Sequence, residues 1–304
     1  MNRFLVTGAN GQVGFELQRS LALHGEVVAV DVADCDLTNP DAIRALVARV
    51  QPTAIINPAA HTAVDKAESE PALAEALNVT APRVLAECAR ARGAAFVHFS
   101  TDYVFDGSGD APRDEVAATA PLNVYGRTKR DGELAVLAAY ADSDLPHYVL
   151  RTSWVFGAHG NNFVKTMLRL AQQRDALSVV TDQVGAPTSA ALLADLAALV
   201  LTRRPPSGLY HATAAGETSW HGFAARVIAR ARDLGLPVRV DPQAITPLTT
   251  AQYPTPAQRP LNSRLDTRKL QTALGIRLPD WTLAADQVTD ILVHTMLQDR
   301  SLRT

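Results

Sequence analysis

Three glycines directly after the first apolar run constrain this chain more than any other feature. Residues 3–7 read Arg-Phe-Leu-Val-Thr, and Gly8, Gly11 and Gly14 follow in Thr7-Gly8-Ala9-Asn10-Gly11-Gln12-Val13-Gly14. A strand that turns sharply into a helix needs glycine at the exit. It needs a second where the backbone approaches a ligand, and a third where helix and strand pack closely. A helix opening here aims free N–H groups and the positive end of its dipole at an anion. A ligand-free glycine turn can share the spacing. The preceding strand pattern and following helix pattern supply the context of a pyrophosphate-binding turn.

Beyond the glycine loop the chain alternates between two patterns. Residues 26–30, 53–57, 95–100 and 148–151 are short runs rich in Val, Ile and Phe, and residues 13–23, 40–50, 71–92 and 124–140 space their apolar side chains as helices do. Near-continuous apolar strands alternating with helices predict an α/β fold with a Rossmann-type, doubly wound parallel sheet covered on both faces. After about Trp154 proline becomes frequent, which predicts a smaller, discontinuous substrate-binding lobe. The expected division is a dinucleotide-binding domain over 1–156 with return segments near 184–215, a lobe over 157–183 and 216–280, and a C-terminal helix over 281–304. Residues 208–212 are expected to return to the main sheet as a strand.

The second strand ends at Asp31, 17 positions after Gly14. That is close to the spacing at which a carboxylate grips an adenosine ribose hydroxyl, and it would repel a 2′-phosphate. No arginine stands between residues 31 and 36 to offset it. NADH is therefore favoured, with NADPH left open.

Tyr125 and Lys129 form a Tyr-x-x-x-Lys pair within the helical pattern of residues 124–140. Residues i and i+4 share a helix face. With six tyrosines and only four lysines in 304 residues, chance places such a pair in fewer than about one chain in ten. An adjacent ammonium favours the phenolate, so Lys129 is expected to lower the Tyr125 pKa toward neutrality. Tyr125 would then pass a proton to an alkoxide as hydride reaches a carbonyl carbon, and Lys129 would also hold cofactor ribose hydroxyls. The fourth strand runs into Ser100-Thr101-Asp102. Parallel sheets bind ligands beyond the carboxyl ends of their strands. Thr101 is therefore placed at the substrate carbonyl, with Ser100 as the local rival and Asp102 as a partner for a sugar hydroxyl.

Bulk properties narrow the partners. A net charge of −2 without a basic block gives no support for nucleic acid or a membrane surface. Cys35 and Cys88 are far apart and outside any Cys-x-x-Cys spacing, so neither a disulfide framework nor a zinc site is expected. With a strand starting by residue 3 and no apolar stretch of spanning length, a soluble cytoplasmic protein is expected.

The glycine loop, Asn57-Pro58-Ala59-Ala60, the segment from Ser100 to Phe105 and the Tyr125/Lys129 pair together resemble the extended short-chain dehydrogenase/reductases. The segments 61–68, 151–154, 182–188 and 259–263 narrow the likeness to the dTDP-4-dehydrorhamnose reductase family, from Arg3 to about Trp281. The resemblance implies reduction of a 4-ketosugar on a nucleotide to the dTDP-L-rhamnose product. It implies that Gly11, Gln12 and Val13 line the cofactor pyrophosphate, that Asp36 and Leu37 lie beside the adenine, and that Ala60, His61 and Thr62 follow the cofactor. Thr101, Tyr125 and Lys129 would be the catalytic set. Asp102 and Trp154 would contact the deoxysugar, and Arg259 would contact the diphosphate, for which its charge also suits it. His61 and Trp154, taken alone, read as structural residues.

Some members of the family dimerise around Mg²⁺ held by acids from three segments. Glu16 matches one position, residues 188–192 contain no acid, and Asp290 is one residue from the third at Ile291, about 100° away around a helix. No metal requirement is expected, and a monomer or a metal-independent homodimer is. Two alternatives stay open: a sugar-nucleotide epimerase or dehydratase on the same fold, and a non-catalytic subunit resembling the regulatory subunit of methionine adenosyltransferase.

Overall fold

The structure, a computed structural model, describes residues 1–301. Six parallel strands form the main sheet: β1 (Arg3–Val6), β2 (Glu26–Ala29), β3 (Ala54–Asn57), β4 (Ala95–Thr101), β5 (His147–Thr152) and, after four two- or three-residue strands, β10 (Gly208–His211). The short strands are β6 (Val155–Phe156), β7 (Ser178–Val180), β8 (Val184–Gly185) and β9 (Thr188–Ser189); β11 (Thr218–Ser219), β12 (Thr246–Leu248) and β13 (Asn262–Ser263) come later. The spatial order is β2-β1-β3-β4-β5-β10. The chain thus runs outward from β1 to β2 and then returns to the other side of β1, opening a crevice between the carboxyl ends of β1 and β3. Such a reversal is where open α/β sheets hold ligands. Residues 208–212 return to the sheet as expected, alongside β5.

Successive strand residues face opposite sides. Phe4, Val6, Ile56, Phe99 and Leu150 pack against helices α1 (Gln12–Ala22) and α8 (Ala190–Arg203). Leu5, Ile55, Phe96 and Val149 pack on the other face against α2 (Pro40–Val50), α5 (Ala81–Ala91) and α6 (Val124–Ala139). Leu5, Ile55 and Val149 are completely buried, each contributing about 1.5–3 kcal/mol. A one-residue slip would exchange the two faces, so burial on both sides fixes the register.

Two helical stretches differ from expectation. Residues 71–92 are not one α-helix: α4 (Pro71–Glu75) passes into a π-helical turn (Ala76–Thr80) before α5. An extra helix, α3 (Val64–Ser69), precedes them. It is too short for periodicity to reveal. Further along, α7 (Phe163–Gln173), α9 (Trp220–Asp233) and α11 (Trp281–Ser301) pack around Phe156, Phe223, Trp281 and Val288, with α10 (Arg268–Leu274) on the main sheet. The last three residues of the expected 281–304 helix lie outside the described residues. Among the described residues no helix is long and apolar enough to cross a membrane.

Candidate active site

The glycine loop closes the crevice on the β1 side. Gly8 has φ +59°, and a Cβ there would lie 3.1 Å from the Ala59 Cα beyond β3. A Cβ on Gly14 would fall 1.9 Å from the Gly8 carbonyl oxygen, so α1 rests directly on the strand exit. Helices α2, α6, α7, α8 and α9 are capped by the side chains of Asn39, Asn123, Asn162, Ser189 and Ser219. At α1 the cap residue is Gly11 and no side chain satisfies the first turn. The free N–H groups there fit an anionic group such as a pyrophosphate.

The neighbouring candidates surround this point. The Asp31 carboxylate accepts from the Asn10 N–H at 2.7 Å and the Val32 N–H at 2.8 Å, which ties the end of β2 to the glycine loop. Asp36 is exposed, with its carboxyl lowered by the Thr38 hydroxyl and N–H; Leu37 packs against the α2–α5 face. Val13 packs into the α1–α8 face, while the Gln12 amide accepts from Asn162 at 3.0 Å. Across the crevice, Ala60 is half-buried and Thr62 exposed. The His61 N–H donates to Asn78 Oδ1 at 2.8 Å, and Asn78 Nδ2 donates to the His61 carbonyl and to Thr128 Oγ1. The His61 ring meets Glu70 at 3.1 Å.

Asn78 was missed in the sequence. It sits in the π-helical turn and clamps the loop after β3 to α6, one residue before Lys129. An asparagine inside an apolar helical pattern was the available signal, because such a residue prefers to bond backbone; π-turns concentrate at functional sites.

The start of α6 is fixed from three sides. Asn123 caps it through the Gly126 N–H, Glu68 of α3 accepts from the Val124 N–H at 2.8 Å, and a Cβ on Gly126 would fall 2.2 Å from the Tyr103 carbonyl oxygen. Tyr125 is thereby held edge-on to Tyr103, with ring centroids 5.4 Å apart, and beside the Thr101 hydroxyl. Thr101 donates to Asp102 at 3.0 Å. The other Asp102 oxygen is buried without a partner at hydrogen-bonding geometry. Burial pushes the Asp102 carboxyl up to about 6, against the lowering influence of the Ser263 and Thr101 hydroxyls. Ser100, the rival to Thr101, faces the other side of the strand, and its hydroxyl is buried and unpartnered.

The expected lowering of the tyrosine pKa is corrected. Burial pushes the Tyr125 phenol up to about 12 and Asp102 adds to the rise, while Thr101 opposes it. Lys129 takes no part, because its ammonium is committed elsewhere: Nζ donates to the Phe99 carbonyl at 2.6 Å and lies 3.4 Å from His98 Nε2. Burial pulls the Lys129 ammonium down to about 8, partly offset by Glu133. Beneath it Glu133 and Arg151 form a buried bidentate pair at 2.8 and 2.7 Å. His98 bonds Asn57, which bonds Thr7 at 2.6 Å, so buried polar side chains run from the glycine loop to Lys129.

On the open side, Arg259 pairs with Asp65 of α3 at 2.8 Å and lies near enough to Tyr103 to oppose the rise of its pKa. Trp154 stacks on Trp220. The metal candidates are not brought together: Glu16 binds Arg19, which also reaches Asp195, and Asp290 is held bidentate by Arg230 at 2.7 Å. Among the described residues no three His, Cys, Asp or Glu side chains are grouped to hold a metal ion.

A doubly wound parallel sheet, with a phosphate-type glycine turn at its reversal point and a helix carrying Tyr125 and Lys129 against the end of β4, is the architecture of the extended short-chain dehydrogenase/reductases. Residues 1–294 match the family described as RmlD substrate binding domain, and the chain belongs to that family. A relative from Salmonella typhimurium, named dTDP-4-dehydrorhamnose reductase, is 49% identical over 96% of this chain and 99% of its own. A crystal structure of such a reductase from Clostridium acetobutylicum is similar at 41% identity and a TM-score of 0.86, covering 95% of this chain and 99% of that one. Another from Bacillus anthracis, in complex with NADP, is 34% identical with a TM-score of 0.86 and the same coverage.

Proposed function

We propose that this chain reduces the 4-keto group of dTDP-4-dehydro-6-deoxy-L-mannose to give dTDP-L-rhamnose. The observation that carries the reading is the Thr101 hydroxyl beside Tyr125 at the end of β4, with Lys129 buried one helical turn on against Phe99, in a chain 49% identical over nearly its whole length to a relative of that name. A nicotinamide cofactor, when bound, supplies the hydride. Gly8, Gly11, Gln12, Val13 and Gly14 hold its pyrophosphate, Asp31 its adenosine ribose, Asp36 and Leu37 its adenine side, and Ala60, His61 and Thr62 the opposite wall.

The chain's own residues do the rest. Thr101 donates a hydrogen bond to the carbonyl oxygen, and Tyr125 gives its proton to that oxygen as negative charge develops there. A phenol held near 12 stays protonated at neutral pH and is a competent donor to a far more basic alkoxide. Lys129 stands behind it as a cation that cannot stray. Asp102 and Trp154, at the ends of β4 and β5, engage the sugar, and Arg259 the diphosphate from a lobe built from residues 157–183 and 216–280. Asp31 favours NADH by repelling a 2′-phosphate, although the relative from Bacillus anthracis binds NADP. The reaction takes place in a reducing cytoplasm, consistent with two free cysteines, and the protein acts as a monomer or as a dimer that needs no Mg²⁺.

The test is the oxidation of NADH and of NADPH with the ketosugar nucleotide. One cofactor oxidised per sugar reduced is expected. Redox-neutral conversion would indicate an epimerase or dehydratase, and no conversion a non-catalytic role.

A further inference from the structure

Three non-glycine residues in the described part of the chain have positive φ: Gln51, Arg204 and Trp154. Gln51 and Arg204 end α2 and α8, where a left-handed residue closes the last turn. Trp154, at φ +51°, ends no helix. A bulky side chain in this conformation persists only when its surroundings hold it there.

What holds it is visible. The Trp154 ring lies parallel to that of Trp220, with centroids 3.8 Å apart and 14° between planes. Trp220 is the first residue of α9, just after its Ser219 cap. Its indole N–H donates to Gln183 at 3.1 Å, and the Gln183 amide donates to Thr250. Its ring packs at a tilt of 52° against Phe163 of α7, with centroids 4.6 Å apart. Gly185 completes the arrangement: a Cβ there would meet Trp154 Cε2 at 3.2 Å and Ser263 Cβ at 2.8 Å. Ser263 is the residue whose hydroxyl bears on Asp102. The Trp154 indole N–H has no acceptor among the described residues, and the side chain is only half-buried.

We infer that Trp220 is a positioning residue for the substrate sugar: it holds Trp154 in its left-handed conformation, with the indole N–H presented to a hydroxyl of a nucleotide-linked deoxyhexose. This rests on the reductase reading above. The donor of Trp220 is already used by Gln183, whereas that of Trp154 is free, so only one indole of the stack is equipped to read the sugar. A flat aromatic face is what the arrangement requires at position 220, because only a ring can lie at stacking distance along the whole indole.

The experiment compares Trp220→Leu with Trp220→Phe in the full chain, measuring KM and kcat for the ketosugar nucleotide, Kd for the cofactor alone, and near-ultraviolet circular dichroism, which reports coupling between stacked indoles. Trp220→Leu is expected to lose the coupled signal and raise the ketosugar KM about tenfold, with cofactor Kd unchanged within about twofold. Trp220→Phe should also lose the indole coupling yet recover most of the KM. If Trp220→Leu does not fold, Trp220→Met takes its place, a flexible chain that fills the space without a flat face. An unchanged KM in the leucine or methionine variant despite the lost signal overturns the inference, as does an equal defect in Trp220→Phe or a cofactor Kd that weakens in step. A parent chain that never reduces the ketosugar overturns the reductase reading and this inference with it. A parent that does, beside an unaffected Trp220→Leu, overturns this inference alone.

Discussion

Replacing Lys129 with methionine should abolish turnover and at the same time make the cofactor-free protein more stable. Lys129 is 3% exposed. Burial lowers its ammonium from 10.5 to about 8, and that difference corresponds to about 3 kcal/mol. Because the folded pKa lies below the unfolded one, the unfavourable contribution is fully present below pH 8. It fades as pH rises from 8 to 10.5, where the unfolded chain still binds the proton that the folded chain has released. Methionine is of similar length, uncharged and adaptable. Against the gain stands the lost hydrogen bond from the ammonium to the Phe99 carbonyl, worth about 1.5–3 kcal/mol for a charged donor. Glu133 keeps its bidentate partner Arg151, so no buried charge is stranded. The net expectation at pH 7 is a stabilisation of up to about 1.5 kcal/mol, read as a higher urea midpoint with an unchanged slope. Repeating the titration near pH 10 should shrink the difference between variant and parent, since there the parent no longer carries the charge. A variant less stable than the parent at pH 7, with a difference indifferent to pH, would refute the argument that this lysine is held against its own preference.

Three further outcomes are expected. Tyr125→Phe should lower kcat on the order of 10²-fold or more while cofactor affinity, measured by titration, is kept; near-parental turnover would remove Tyr125 as the proton donor. Asp31→Ala should narrow or reverse the ratio of kcat/KM for NADH over NADPH, and a parent with equal values for both would already contradict the repulsion argument. Light-scattering mass and activity should not change between EDTA and added Mg²⁺, because Glu16 and Asp290 are committed to Arg19 and Arg230; a dimer that dissociates on chelation would show that other groups complete a metal site.

The amino-acid sequence by itself determined the sheet, the glycine turn and the identity of the Tyr125/Lys129 helix. These depend on local spacing: apolar runs that can only be buried strands, glycines where a Cβ cannot fit, and two side chains one helical turn apart. Tertiary structure decided the electrostatics and the supports. That Lys129 would turn toward Phe99 and His98 rather than toward the Tyr125 phenol follows from how deeply α6 sinks onto β4, and burial then overrides the pairwise attraction that spacing alone suggests. Asn78 was hidden because a π-turn interrupts what looks like one helix, and its partners His61 and Thr128 are 17 and 50 residues away. Trp220 was hidden for the same reason: it meets Trp154 only because α9 and the end of β5 converge in space. Periodicity reports which side of an element is buried. Which buried group meets which, and therefore which charge or ring is held where, is set by contacts between segments distant in the chain.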